Sequence, residues 1–158
     1  MASNLAPSNM VLVVTAAVLF YIAVADLKHY KIRNELILAL IVLFFVHTLF
    51  SARWVNAAWS FGLAALVLIF LVYFYSRRWM GGGDVKILAA AFLWTGVDCA
   101  LVFALLLLVF VSLHTIAAKL GWADLQVDRE RRARIAFAPS VAAALIAIIM
   151  LGCLRSSA

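Results

Sequence analysis

The sequence predicts an all-α, polytopic membrane protein, in which six transmembrane helices form a single domain over residues 1–158. Of the 158 residues, 68% are hydrophobic and 13% are charged, and the mean hydropathy is +1.14. A soluble domain is about 45–50% apolar and about 25% charged, so the composition excludes a water-soluble globule. Apolar stretches recur along the whole chain and are separated by short polar or charged segments.

Six apolar segments define the predicted helices. A helix needs about 20 residues to cross a bilayer, with a range of about 17–25. The first, third, fifth and sixth segments are long enough, the second needs its flanking residues, and the fourth is short. The segments are 6–25, 36–50, 57–75, 85–97, 100–118 and 135–154. The first nine residues contain no Lys or Arg, which a secretory signal peptide would carry, so we expect the first helix to be retained.

The basic residues predict the orientation of these helices. Eleven of the 13 Lys and Arg residues lie in or flank the first, third and fifth connections, and only Arg53 and Arg155 fall on the other side. Loops rich in Lys and Arg stay in the cytoplasm, so both termini are predicted to lie outside it. The eleven are Lys28, Lys31, Arg33, Arg77, Arg78, Lys86, Lys119, Arg129, Arg131, Arg132 and Arg134.

The net charge of +6 does not predict a nucleic-acid partner, because the basic residues lie between apolar segments as topology signals do. We expect membrane lipid to surround the helices. Cys99 and Cys153 lie at the edges of apolar stretches and form no C-x-x-C pair. The sequence therefore predicts neither a zinc site nor a disulfide framework, and no metal or organic cofactor.

Two of the seven acidic residues occupy unusual positions. Asp26 ends the first predicted helix and Asp84 begins the fourth, so both lie at the cytoplasmic ends of their helices. From Asp84 to the outer turn at Gly96 the helix would rise only about 18 Å, against a hydrocarbon core of about 30 Å. Asp84 would then lie inside the membrane, and an intramembrane carboxylate marks a functional site by default.

Three consecutive glycines precede Asp84. Gly81, Gly82 and Gly83 remove every side chain beside the acid and give the backbone wide conformational freedom. Irregular backbone at membrane depth is tolerated where it lines a cavity or is covered by protein, so the run indicates a place where another chain approaches. Two carboxylates in one wet pocket can share a proton, one activating a water and the other protonating a scissile carbonyl oxygen. Asp26 and Asp84 are thus candidate catalytic residues.

The segment from Gly81 resembles the G-x-G-D signature of membrane aspartic peptidases, and its extension Gly-Gly-Gly-Asp-Val-Lys-Ile-Leu-Ala-Ala-Ala is similar to the type IV prepilin peptidase family. The stretch from Asp26 to Asn34 resembles that family's first catalytic segment, with Asn eight positions after Asp. The family's Ile-Pro-Asn triplet reads Ile-Arg-Asn here, with Arg33 in place of Pro.

The resemblance implies an activity and a location. Asp26 and Asp84 would be the catalytic pair, with Gly81, Gly82, Gly83, Lys86 and Asn34 shaping the site or binding substrate. The protein would cut the leader peptides of prepilins at the cytoplasmic face of a bacterial inner membrane. The chain lacks the paired cysteines of larger members that also methylate the new N-terminus, and it resembles the short form of tight-adherence (Flp) pilus systems. Cleavage without methylation is expected.

Other functions stay open at this point. An archaeal preflagellin peptidase is similar in plan. A small transporter or channel could use the two aspartates and Lys86 as an ion or proton relay. Such a relay would place ionisable residues at several depths, whereas only His47 and His114 lie within the apolar segments, and both are interpreted as packing residues. A non-catalytic pilus-assembly subunit is the third interpretation, with Arg33 as its sequence hint.

Overall fold

The computed structural model describes residues 5–29, 33–52, 54–120, 126–127, 133–134 and 137–153. Within these residues the chain forms five α-helices and one pair of two-residue strands. The helices are α1 (Leu5–His29), α2 (Asn34–Ser51), α3 (Trp54–Ser76), α4 (Gly82–Lys119) and α5 (Ala138–Met150). Strands β1 (Gln126–Val127) and β2 (Ala133–Arg134) pair antiparallel between α4 and α5.

The helix ends follow from local backbone chemistry. Arg33 is extended before α2, and Ala52 takes a left-handed conformation that ends it. Arg78 also has a positive φ, of 58°, in the turn after α3. Helix α5 has a proline in its first turn, where the missing N–H costs no intrahelical hydrogen bond.

Helix α4 is broken at Gly96, where φ is 60° and ψ is −169°. This region of backbone conformation is essentially restricted to glycine. The break also brings α4 against α3, because a Cβ at Gly96 would lie 2.7 Å from Ser60 Oγ. Helix α4 therefore consists of a short first half, Gly82 to Thr95, and a longer second half, Val97 to Lys119.

The helices pack around α4 and α5. Helix α3 packs mainly on α4, α5 lies against both α4 and α1, and α2 contacts α1 and α4. The fully buried side chains come from four helices and include Leu19, Ile22, Leu40, Ile87, Phe103, Val141, Leu145 and Ile148. On α3 only Ser60 is buried among the described residues. The large apolar side chains of α3 face outward, as expected for a helix in contact with lipid.

The structure confirms the predicted all-helical class and the positions of the apolar helices. In the described part of the chain, four helices are long and apolar enough to cross a membrane: Asn9–Lys28, Asn34–Ser51, Trp54–Ser76 and Gly82–Ala117. Helix α5 is shorter, and the fourth and fifth predicted segments form the single broken helix α4. Six separate crossings and the outward termini therefore stay predictions. Ile32 of the Ile-Arg-Asn triplet lies outside the described residues. So do six of the basic residues from which the orientation was predicted: Lys31, Arg53, Arg129, Arg131, Arg132 and Arg155.

The two cysteines correct the sequence-based expectation, because Cys99 and Cys153 form a disulfide. They are 54 residues apart, and their spacing carries no motif. The second half of α4 and helix α5 run antiparallel and pack together, so the start of one lies beside the end of the other. This hairpin brings Cys99 and Cys153 to the same level, which linear spacing could not indicate.

Candidate active site

Asp26 lies in the last turns of α1 and is buried, with 6% of its surface exposed. Its Oδ2 accepts a hydrogen bond from the backbone N–H of Ala138, at 3.1 Å. Ala138 is the first residue of α5, and its N-cap residue, Phe137, makes no side-chain capping bond. The first N–H groups of a helix lack intrahelical partners and carry the positive end of its dipole. Asp26 therefore caps α5 from a different helix, and this bond fixes one carboxylate oxygen.

The second half of α4 also reaches Asp26. His114 lies near its end, is half-buried, and interacts electrostatically with the Asp26 carboxyl group. Asp26 thus lies among α1, the N-terminus of α5 and the end of α4. The sequence alone favours a packing role for His114, and the structure places it beside the site.

Asp84 is the third residue of α4 and is half-buried. Its carboxylate folds back toward Gly81, so that a Cβ on Gly81 would lie 3.0 Å from Asp84 Oδ2. The carbonyl of Gly81 accepts the N–H of Val85, which places Gly81 at the start of the helix. The first glycine of the run therefore leaves the space that the Asp84 carboxylate occupies.

The other two glycines complete this first turn. Gly82 faces the ring of Tyr75 at the end of α3, and a Cβ at Gly82 would lie 3.3 Å from that ring. Gly83 is half-buried beside Asp84. The glycine run thus allows α3 and α4 to approach closely next to the acid. Gly82 and Gly83 belong to α4, so they do not form the irregular backbone expected from the sequence.

Asn34 and Lys86 connect the two segments that carry the aspartates. Lys86 Nζ donates to Asn34 Oδ1 at 2.8 Å, across 52 residues of sequence. Asn34 begins α2, just after the connection from α1, and Lys86 lies in the first turns of α4. Asp26 and Asp84 are therefore at the same end of the bundle. The Asn34–Lys86 hydrogen bond joins the segment that follows Asp26 to the segment that carries Asp84.

We expect Gly81→Ala to lower catalytic activity without loss of folding. The φ of Gly81 is not in the left-handed region, so alanine fits the backbone, but its Cβ would displace the Asp84 carboxylate. A displacement of about 1 Å can cost about 100-fold in rate. The rate constant of the purified variant and its abundance in membranes measure the effect. Gly62→Ala is the matched control, because nothing lies within 4 Å of its Cβ position. Equal activity of both variants would contradict this account of Gly81.

Substitutions of Asn34 and Lys86 are expected to have non-additive effects on activity, because the two side chains share one hydrogen bond. Both side chains are exposed, so Asn34→Ala and Lys86→Met should each lower activity only several-fold. Because each variant removes the same hydrogen bond, the double variant should be no slower than the slower single variant. A double-mutant cycle of the catalytic rates measures this coupling. Losses that multiply would show that the two side chains act separately.

A cavity of about 410 Å³ lies at the opposite end of the bundle. It is formed by the end of α2, the start of α3 and the break in α4, and its lining includes His47, Trp94, Gly96 and Asp98. His47 packs against the Trp94 ring there, which supports its interpretation as a packing residue. This cavity is separate from the aspartates. Within the described part of the chain, no three His, Cys, Asp or Glu residues group as a metal site.

Sequence reasoning missed the contribution of α5. The predicted sixth helix began at residue 135, whereas α5 begins at Ala138, with Pro139 in its first turn. The proline was a usable signal for this helix start. The capping group, however, is supplied by Asp26, 112 residues earlier, and only the packing of α1 on α5 reveals that pairing.

The chain matches a known protein family over most of its length. The model of the type IV leader peptidase family matches residues 13–154 of the chain. This range contains both aspartates, the glycine run, Asn34 and Lys86. No curated protein and no solved structure matches the chain significantly.

Proposed function

Because the chain belongs to the type IV leader peptidase family, we propose that it is an aspartic endopeptidase that removes the leader peptides of type IV or Flp prepilins. The observation that carries this proposal is the family match across residues 13–154, together with two acidic residues at one end of the bundle. Cleavage would occur at the cytoplasmic face of a bacterial inner membrane. Asp26 and Asp84 would be the catalytic pair.

The proposed chemistry uses water as the nucleophile. One carboxylate takes a proton from the water as it attacks the scissile carbonyl carbon, and the other, protonated, donates to the carbonyl oxygen. Collapse of the tetrahedral intermediate then breaks the C–N bond, and the new amine receives a proton from the pair. The Ala138 N–H holds Asp26 Oδ2, which leaves Oδ1 for the water or the substrate.

The substrate would enter beside the glycine run. Gly81 is exposed, and Gly82 and Gly83 present little but backbone to an approaching peptide. An extended peptide can pair with such exposed backbone groups, while its apolar segment stays in the membrane. Lys86 and Asn34, linked at 2.8 Å, would hold α2 and α4 at a fixed separation around this entry.

Two independent features support the proposed orientation, with both termini outside the cytoplasm. Eleven of the 13 basic residues fall, by sequence, in or beside the first, third and fifth predicted connections, which adjoin the aspartates. The Cys99–Cys153 disulfide lies at the other end, beside the break in α4. Disulfides persist in oxidising compartments such as the periplasm. The aspartate end would then face the cytoplasm, where the prepilin leader is located.

The distribution of ionisable side chains favours a peptidase over an ion relay. Within the described residues, the buried polar or charged side chains are Thr15, Asp26, Thr48, Ser60, Thr95 and Ser140. Asp26 is the one ionisable member of that set. A relay would need ionisable groups at successive depths, whereas here Asp26, Asp84 and Lys86 lie at one end of the bundle.

The test is cleavage of a co-expressed candidate prepilin, followed by N-terminal sequencing and mass measurement of the product. We expect a single cut at the end of the leader and a product without an added methyl group. Testing several type IV and Flp prepilins distinguishes two explanations for an absence of cleavage, an unsuitable substrate and an inactive protein. If none of them is cut while the protein accumulates in membranes, the proposed function is wrong, and proton flux in proteoliposomes becomes the next measurement.

A further inference from the structure

Helix α5 is fixed at both of its ends. At its N-terminus, the Ala138 N–H donates to Asp26 Oδ2 at 3.1 Å. Just past its C-terminus, Cys153 is bonded to Cys99, three residues after the break at Gly96. The disulfide therefore joins the end of α5 to the start of the second half of α4.

The two helices joined by the disulfide converge on the same carboxyl group. The second half of α4 carries His114, which interacts electrostatically with Asp26, and α5 supplies the Ala138 N–H. Between these ends the helices pack through buried side chains such as Phe103, Val141 and Leu145. One covalent bond at the far end thus sets the position of α5, which binds Asp26, relative to the second half of α4, which carries His114.

Because α4 is broken at Gly96, the disulfide provides a restraint on the position of its second half. At Gly96 the backbone leaves the helical conformation, so the second half of α4 is not held rigidly by the first. Much of this second half also faces outward, including Leu101, Leu105 and Leu108. Helix α5 has 13 residues, about 20 Å at 1.5 Å per residue, and a helix of this length moves as a stiff rod. A shift at Cys153 would therefore reach Ala138.

We propose that Cys99 and Cys153 are positioning residues for Asp26, and that the rate of leader-peptide cleavage depends on the disulfide between them. The proposal rests on the proposed function of Asp26 as a catalytic group. With the bond intact, α5 stays in place against the second half of α4, and its Ala138 N–H holds the carboxylate in one orientation. Without it, the two helices slide or rotate against each other, and the Ala138–Asp26 hydrogen bond opens more often.

The bond can be broken chemically in the folded protein. A water-soluble phosphine attacks one sulfur and breaks the Sγ–Sγ bond, and water then hydrolyses the phosphorus–sulfur adduct. The products are two thiols and one phosphine oxide, which carries the oxygen of the water. The disulfide gains two electrons and two protons, and the phosphine is oxidised. Reoxidation reverses the effect on the protein, so one preparation supplies both states.

The experiment compares oxidised wild type, phosphine-reduced wild type, reoxidised wild type and the variant Cys99→Ser/Cys153→Ser, all in lipid nanodiscs. Thiol labelling after denaturation measures the redox state. We expect kcat for prepilin cleavage to fall about tenfold or more on reduction, with KM unchanged, and to recover on reoxidation. The double-serine variant should match the reduced protein and should not respond to phosphine. Unchanged kcat on reduction, or free thiols in wild type isolated without reductant, would overturn the proposal.

Hydrogen–deuterium exchange at the N-terminus of α5 supplies a second readout that does not need activity. The Ala138 amide is protected by its bond to Asp26, so its exchange should accelerate about tenfold or more on reduction, in parallel with the loss of kcat. Exchange in the second half of α3, which carries neither cysteine, should stay constant. If the oxidised protein cleaves no prepilin but this exchange still responds, the positioning is supported and the proposed function fails. If cleavage occurs and exchange at Ala138 is insensitive to reduction, the positioning proposal alone is wrong.

Discussion

Asp26→Asn and Asp84→Asn are each expected to lose cleavage activity by about 10²–10⁴-fold or more, the contribution typical of a positioned acid or base. Asparagine has nearly the same shape as aspartate but can neither take up nor donate the catalytic proton. The fold should survive, because the side-chain oxygen of the Asp26→Asn variant can still accept the Ala138 N–H at the start of α5. Single-turnover cleavage with excess enzyme measures the residual rate.

The control for these variants is Asp98→Asn. Asp98 is exposed and lines the cavity at the opposite end of the bundle, so its variant should cleave at the wild-type rate. The amount of each of the three variants in membranes shows whether a loss of cleavage reflects lower catalytic activity or less folded protein. Cleavage by either Asp26→Asn or Asp84→Asn near the wild-type rate would remove that residue from the proposed pair.

The largest expected effect on folding belongs to Gly96→Ala. An alanine at φ 60°, ψ −169° costs about 1–3 kcal/mol of backbone strain, and its Cβ would also lie 2.7 Å from Ser60 Oγ. Ser60 is buried and donates to the Asn56 carbonyl, so it cannot move away freely. We therefore expect α3 and α4 to separate at this level and the midpoint of thermal unfolding in detergent to fall.

Alanine variants of two other glycines distinguish backbone strain from contact with Ser60 as the cause of this lower stability. Gly152 has a positive φ of 70° but nothing within 4 Å of its Cβ position, so Gly152→Ala should show conformational strain alone. Gly62→Ala in α3 meets neither strain nor contact and should be neutral or slightly stabilising. The expected order of unfolding temperatures, from highest to lowest, is Gly62→Ala, then Gly152→Ala, then Gly96→Ala. A Gly96→Ala variant as stable as Gly152→Ala would show that contact with Ser60 is unimportant.

Local patterns predicted much of this fold. The apolar segments located the helices within a few residues, and Gly96, in a polar turn between two apolar runs, marked the break in α4. The glycine run before Asp84 indicated close approach of another segment, and the structure shows Tyr75 of α3 close to Gly82. These features can be predicted from sequence because a helix break and an empty Cβ position are properties of single residues.

The pairings between distant segments were not predictable in this way. The disulfide, the capping of α5 by Asp26 and the placement of His114 beside Asp26 all depend on how α1, α4 and α5 pack. Nothing in the spacing of Cys99 and Cys153 marks them as partners, because the antiparallel hairpin of α4 and α5 sets their proximity. The Lys86–Asn34 bond is an intermediate case, since both residues were singled out as site-shaping but their contact was not foreseen.

Whether Asp26 and Asp84 form one site is the central question, and cross-linking in membranes tests it most directly. The variant Asp26→Cys/Asp84→Cys would be treated with the shortest bis-methanethiosulfonate reagent and its intact mass measured, because one bridging spacer adds less mass than two singly attached reagents. We expect one bridging spacer per chain in Asp26→Cys/Asp84→Cys, whereas Asp26→Cys/Asp98→Cys should carry two separately attached reagents. Independent reaction of positions 26 and 84, with no link between them under conditions in which each is modified, would contradict a shared two-aspartate site.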